Sequence, residues 1–168
     1  MIHIGESFEG EGANAAHINL VLGPKAELGA AYTLAAASPG PGHIPFQAVV
    51  KPNLPAKPAT LFIAKSVLKD ERHERMTWGP AQAGVAAGVT DAYLAGIAPA
   101  DAGDAWVVIA LVWVDPAADD AEQVFANNRA AARGAAERAM QRDWPSRQEL
   151  AEGLKDIRNP FFIPKAET

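Results

Sequence analysis

The chain has no cysteine. This excludes disulfides, thiolate zinc sites, iron–sulfur clusters and a thiol nucleophile, and it fits a reducing compartment. Aromatic residues make up only 7%, and they do not alternate with basic ones. Basic charge is also short: 15 Lys and Arg stand against 20 Asp and Glu, for a net charge of −5. That balance opposes non-specific nucleic-acid binding. Long apolar runs are missing too. The longest, Ala105 to Val114, is about half of the ~20 residues a membrane helix needs. Met1 to Glu6 has neither a charged leader nor an apolar core segment. The expectation is a cytoplasmic chain with no nucleic-acid and no membrane partner.

What is present describes a globular chain. Its 168 residues are 49% hydrophobic and 21% charged, which suits one domain over 1–168 with a short tail from about 144. There are 36 alanines, concentrated in the second half, a composition that favours helix and close helix packing. Pro and Gly punctuate the rest. Ile2 to Phe8, Ala15 to Leu22, Phe46 to Lys51 and Thr60 to Leu68 read as strands. Trp106 to Val114 reads as a central buried strand. Helices are predicted over Glu27 to Ala37, from Gly79-Pro80 to about Ala95 with Gly96 as the stop, and from Asp119 to about Arg142. Asp119 and Glu122 have capping-box spacing. This β-β-α-β-β-α-β-α order predicts an α+β fold, with helices covering a largely antiparallel sheet.

Few residues suggest chemistry by pattern alone. Gly10-Glu11-Gly12-Ala13-Asn14-Ala15 imitates a dinucleotide loop, but a strand follows it and its glutamates repel phosphate, so it reads as a turn. His3, His17, His43 and His73 lack metal-site spacing, and no metal is expected. His43 and His73 fall in polar stretches and read as solvated. His17 and Asn19 differ, because period-2 geometry places both on one face of an apolar strand. The pattern favours a satisfied core histidine there. Lys65 interrupts another apolar strand and reads as a snorkelling or edge lysine. Gln82 reads as an exposed first-turn residue. Asp115, Asp119 and Asp120 read as turn and helix-start residues.

In combination the pieces resemble the formaldehyde-activating enzyme family. The resemblance runs through Gly5-Glu6, Gly10-Glu11-Gly12 and Ala16-His17-Ile18. It continues through Ala48-Val49-Val50-Lys51-Pro52-Asn53-Leu54-Pro55-Ala56-Lys57-Pro58 and Gly79-Pro80-Ala81-Gln82. Trp113, Ala117-Ala118-Asp119-Asp120, Asn128 and Pro160-Phe161 complete it. It implies a lyase that joins formaldehyde to tetrahydromethanopterin, releasing water, with the pterin as co-substrate and no prosthetic group. It also implies a two-layer α/β sandwich of the ribosomal-protein-S5-domain-2-like type, assembled as a homopentamer with sites between subunits.

By the same resemblance His17 is the proton donor, and Asn19, Gln47, Lys65, Val67 and Gln82 contact the pterin. The family's aspartate, leucine and threonine correspond here to Asn19, Gln47 and Val67. Asparagine loses a charge that would hold a neighbouring cation, and charge-assisted hydrogen bonds are about twice as strong as neutral ones. Valine deletes a hydroxyl. These departures imply altered or reduced activity, or a relative that binds a pterin or an aldehyde without turnover.

Overall fold

The computed structural model describes residues 1–141, 145–158 and 164. The last residue expected in the long helix, Arg142, and the closing Pro160-Phe161 lie outside the described residues.

Alternating small and apolar residues build the first two strands, β1 (His3–Glu9) and β2 (Ala16–Pro24), which pair antiparallel. Gly10 and Gly12, with φ of 83° and 64°, turn the chain between them, in a conformation that side-chain-bearing residues adopt rarely. Helix α1 (Lys25–Ala37) follows directly. The segment read as one strand from Phe46 to Lys51 is two, β3 (Phe46–Gln47) and β4 (Val49–Lys51), which belong to different sheets. The Ala48 N–H donates to Thr60 O and its carbonyl accepts from Ala56, so the chain swaps partners at Ala48. Strand β5 (Leu54–Pro55) pairs with β4. Strand β6 (Ala59–Ala64) ends one residue before Lys65.

The next helix begins earlier than Gly79-Pro80. Asp70 caps it, its Oδ1 accepting the His73 N–H at 2.9 Å. Helix α2 (Glu71–Met76) runs through a wide turn at Thr77–Ala81 into α3 (Gln82–Leu94). Pro80 lies inside that wide turn, where the regular ladder of hydrogen bonds is already interrupted and a missing N–H does least harm. Gly96, with φ of 74°, stops the helix as expected. A short α4 (Ala102–Ala105) leads into β7 (Trp106–Trp113). Helix α5 (Ala121–Gln141) is capped by Asp120, whose Oδ1 accepts from the N–H groups of Glu122 and Gln123. Asp119 instead accepts from Asn14 Nδ2. Helix α6 (Arg147–Gly153) carries its own capping box at Ser146 and Glu149.

The main sheet has the order β1-β2-β7-β6-β3, with one parallel pair, β6/β7, among antiparallel ones. A parallel pair needs a crossover long enough to hold a helix, and α2 and α3 supply it. Strand β7 is central and buried, as its apolar run predicts. Helices α3 and α5 cover one face, packing on Ile18, Leu20, Leu22 and Val108. Alanines of α5, among them Ala131, Ala132, Ala135 and Ala139, are buried against that layer. Helix α1 packs on β2 and β7 from the opposite face. It covers the end nearest Pro24 and leaves the His17 end open.

Candidate functional site

The candidate site is made by strand register. On the face away from α5, His17 stands opposite Phe8 on β1 and Trp113 on β7. Asn19 stands opposite Glu6 and Leu111, and Leu111 pairs onward with Ile63. Lys65 follows β6, and its N–H still donates to Val112 O at 2.8 Å. The ladder therefore brings Lys65 to the row of His17 although 48 residues separate them. His17, Asn19 and Lys65 thus meet at one open end of the sheet.

Their contacts are specific. His17 Nε2 lies 3.1 Å from Glu6 Oε1. Lys65 Nζ lies 3.5 Å from His17 Nδ1 and 3.4 Å from the His17 carbonyl oxygen. A carboxylate at one nitrogen and an ammonium at the other select the neutral tautomer with its hydrogen on Nε2. The Phe8 ring sits 6.2 Å from the imidazole, tilted by 51°. Burial holds the His17 pKa below its usual value, and the Lys65 charge pushes the same way, while the charge and hydrogen bond of Glu6 oppose both. Burial also pulls Lys65 down to about 8, against the raising influence of Glu6. His17 is therefore a half-buried histidine held between opposite charges.

A second histidine fixes the mounting of Lys65. His73, read from sequence as solvated, is 1% exposed. Its Nδ1 accepts from the Lys69 N–H at 3.2 Å, and its Nε2 donates to Val114 O at 3.0 Å. It pins the loop after Lys65 to the end of β7. His43 is likewise not free in solvent: its Nδ1 lies 2.7 Å from Ala64 O. His3 is buried and stacks on Trp106.

The remaining candidates lie elsewhere in the chain. Gln47, on β3, accepts from the Tyr32 hydroxyl at 3.2 Å. Three inter-strand spacings, about 14 Å, separate its strand from that of His17. Gln82 is buried rather than exposed, and its Oε1 accepts the Val49 N–H at 2.5 Å. It sits at the start of α3, in the helix layer on the face opposite His17. Val67 is 50% exposed and packs on Gly42. Beside Ala64 lies a cleft of about 130 Å³, lined by Gly42, Ile44, Ala64, Leu68, Glu74 and Trp78. This is smaller than the roughly 300–1,000 Å³ that accommodates a drug-sized ligand. Among the described residues no group of three or more His, Cys, Asp or Glu could hold a metal ion.

Glu6 belongs to the motifs that carry the resemblance, but the sequence does not mark it as a candidate site residue. Alternation along β1 puts Ile4, Glu6 and Phe8 on one face, which was readable. Its juxtaposition with His17 depends on the β1–β2 register, which sequence does not provide.

A family model described as formaldehyde-activating enzyme matches residues 4–162. The chain is 40% identical to a bifunctional enzyme Fae/Hps of Archaeoglobus fulgidus over 139 residues, 82% of this chain and 35% of that protein. A bifunctional enzyme Fae/Hps of Methanocella arvoryzae is 39% identical over 143 residues, 84% of this chain and 36% of the relative. The chain thus spans about a third of the length of these bifunctional relatives. It is also 36% identical over 159 residues to a 5,6,7,8-tetrahydromethanopterin hydro-lyase of Methanosarcina barkeri, covering 94% of this chain and 89% of that protein.

Proposed function

The chain belongs to the formaldehyde-activating enzyme family, and from that membership we propose that it condenses formaldehyde with tetrahydromethanopterin to methylene-tetrahydromethanopterin and water. The observation that carries the reading is the meeting of His17 with Lys65 and Asn19 at the open end of the sheet. A pterin amine attacks the formaldehyde carbon and gives a carbinolamine. Its hydroxyl is a poor leaving group until protonated, and His17 supplies that proton. Water leaves, and an iminium remains. The second amine closes the methylene bridge, and its proton returns to His17. Such transfer contributes about 10²- to 10⁴-fold. Holding the amines and the carbon in reacting geometry contributes the rest.

Lys65 and Asn19 position the pterin beside His17, while Gln47, Val67 and Gln82 shape its pocket in the assembled protein. One copy spreads these six residues over both faces of the sheet. That spread favours a site completed by a second copy, in a homo-oligomer that we take to be a ring of five. The pterin is co-substrate, no prosthetic group takes part, and the chain works in the cytoplasm as a single domain. Asn19, which carries no charge, favours one second reading, a pterin-binding protein without turnover. Assaying methylene-pterin formation against the uncatalysed background separates the two. Acceleration that His17→Ala sharply lowers supports the enzyme, and pterin binding without acceleration supports the binder.

A further inference from the structure

We propose that Glu6 is the positioning residue of His17: its carboxylate takes the Nε2–H, fixes the ring, and leaves Nδ1 as the nitrogen that gives and recovers the proton. The transfer step rests on the function proposed above; the Glu6–His17 coupling does not. Glu6 is directly opposite Asn19 in the β1–β2 ladder, and Phe8 is opposite His17. Glu6 is therefore the diagonal neighbour of His17 on the same face. Diagonal cross-strand neighbours stand about 7–8 Å apart, within reach of a long side chain. Glutamate spans that gap and arrives at 3.1 Å from Nε2.

The need for this carboxylate follows from the surroundings. Among the described residues, Glu6 from β1 and Lys65 from the segment after β6 are titratable groups that face His17. Burial and Lys65 both disfavour a protonated ring, and Glu6 opposes them. Asn19, the nearest polar residue on the same strand face, carries no charge. Without Glu6 the ring would lose the charge that opposes Lys65. With Glu6, one ring proton is secured at Nε2. The second, on Nδ1 beside Lys65, is then the more acidic and is the one available to a leaving hydroxyl. After transfer His17 is neutral, Nε2 keeps its hydrogen, and Nδ1 takes the proton released by the second amine. No other reactant is required.

The test is the titration of His17, followed by imidazole NMR, in the wild type, in Glu6→Gln and in Glu6→Gln/Asn19→Asp. Glutamine keeps an acceptor for Nε2–H and loses the charge. The proposal expects His17 to titrate at lower pH in Glu6→Gln, and to return upward when Asn19→Asp supplies a carboxylate from the same face of its own strand. In turnover, kcat falls by about 10- to 100-fold while KM for the pterin changes less than about threefold. An unchanged His17 titration in Glu6→Gln, or no recovery in the double variant, overturns the proposal whatever the activity. A shifted titration in a protein that never accelerates condensation leaves the coupling standing and sinks the proposed reaction instead. Glu6 is exposed and Asn19 partly so, so the variants are expected to fold, and a thermal melt checks this.

Discussion

His17 lies between a carboxylate 3.1 Å from one ring nitrogen and an ammonium 3.5 Å from the other, and the chemistry is argued from that balance. Replacing His17 by alanine is expected to lower the condensation rate by about 10²- to 10⁴-fold. Asn19→Asp adds a negative charge on the same face. It should favour the protonated ring, raise the rate, and move the high-pH decline of kcat upward; an unchanged profile would remove Asn19 from the account. Lys65 titrates near 8 because burial disfavours its charge. It therefore loses its proton well below the pH at which an exposed lysine does, so KM for the pterin should rise as pH passes about 8 if its cation holds the substrate. At this scale period-2 alternation made His17 and Asn19 legible as neighbours, whereas their tie to Lys65 and Glu6 depends on strand pairing between distant segments. His73 misled because a polar sequence around it conceals two backbone partners.

Among the elements, the crossover from β6 to β7 was read least well. Gly79-Pro80 suggested a helix start, since proline favours first turns. The true start is the Asp70 cap, and the wide turn at Thr77–Ala81 absorbs the proline. Gln82 consequently sits mid-way along a continuous helical run, buried, with its oxygen on Val49. Removing that acceptor by Gln82→Ala leaves a backbone N–H without its partner, and should cost about 1–3 kcal/mol in urea denaturation. The alanine-rich composition did forecast the close approach of α3 and α5. A Cβ on Gly84 would stand 2.5 Å from the Phe125 carbonyl oxygen, and one on Gly88 2.3 Å from that of Arg129. Helix propensity would favour Gly84→Ala by about 1 kcal/mol. Overpacking of about 1–3 kcal/mol opposes it, and because the obstruction is backbone the clash wins. A destabilised variant in the same denaturation experiment is the expected outcome.

For the whole molecule, the α+β class and the central β7 were legible from element order and one apolar run. The strand order was not, because nothing local says that β6 and β7 run parallel. That order matters for function. It places Gln47 two strands beyond β7 and Gln82 behind the sheet, so the six candidate residues do not converge in one copy. Exposed Ile44 and Trp78 line the cleft beside Ala64. Mixing His17→Ala and Gln82→Ala proteins should restore part of the activity each has lost if each site draws on two copies. Recovery should be absent if each copy is self-sufficient. Native mass in multiples of 17.7 kDa checks the assembly directly.

The most direct test of the central claim is the rate of methylene-tetrahydromethanopterin formation from formaldehyde and tetrahydromethanopterin, with the spontaneous reaction subtracted, for the wild type beside His17→Ala. The expected result is acceleration by the wild type that scales with protein concentration and falls by about 10²- to 10⁴-fold in the variant. A wild type no faster than the spontaneous reaction, or a His17→Ala protein that is equally fast, would contradict it.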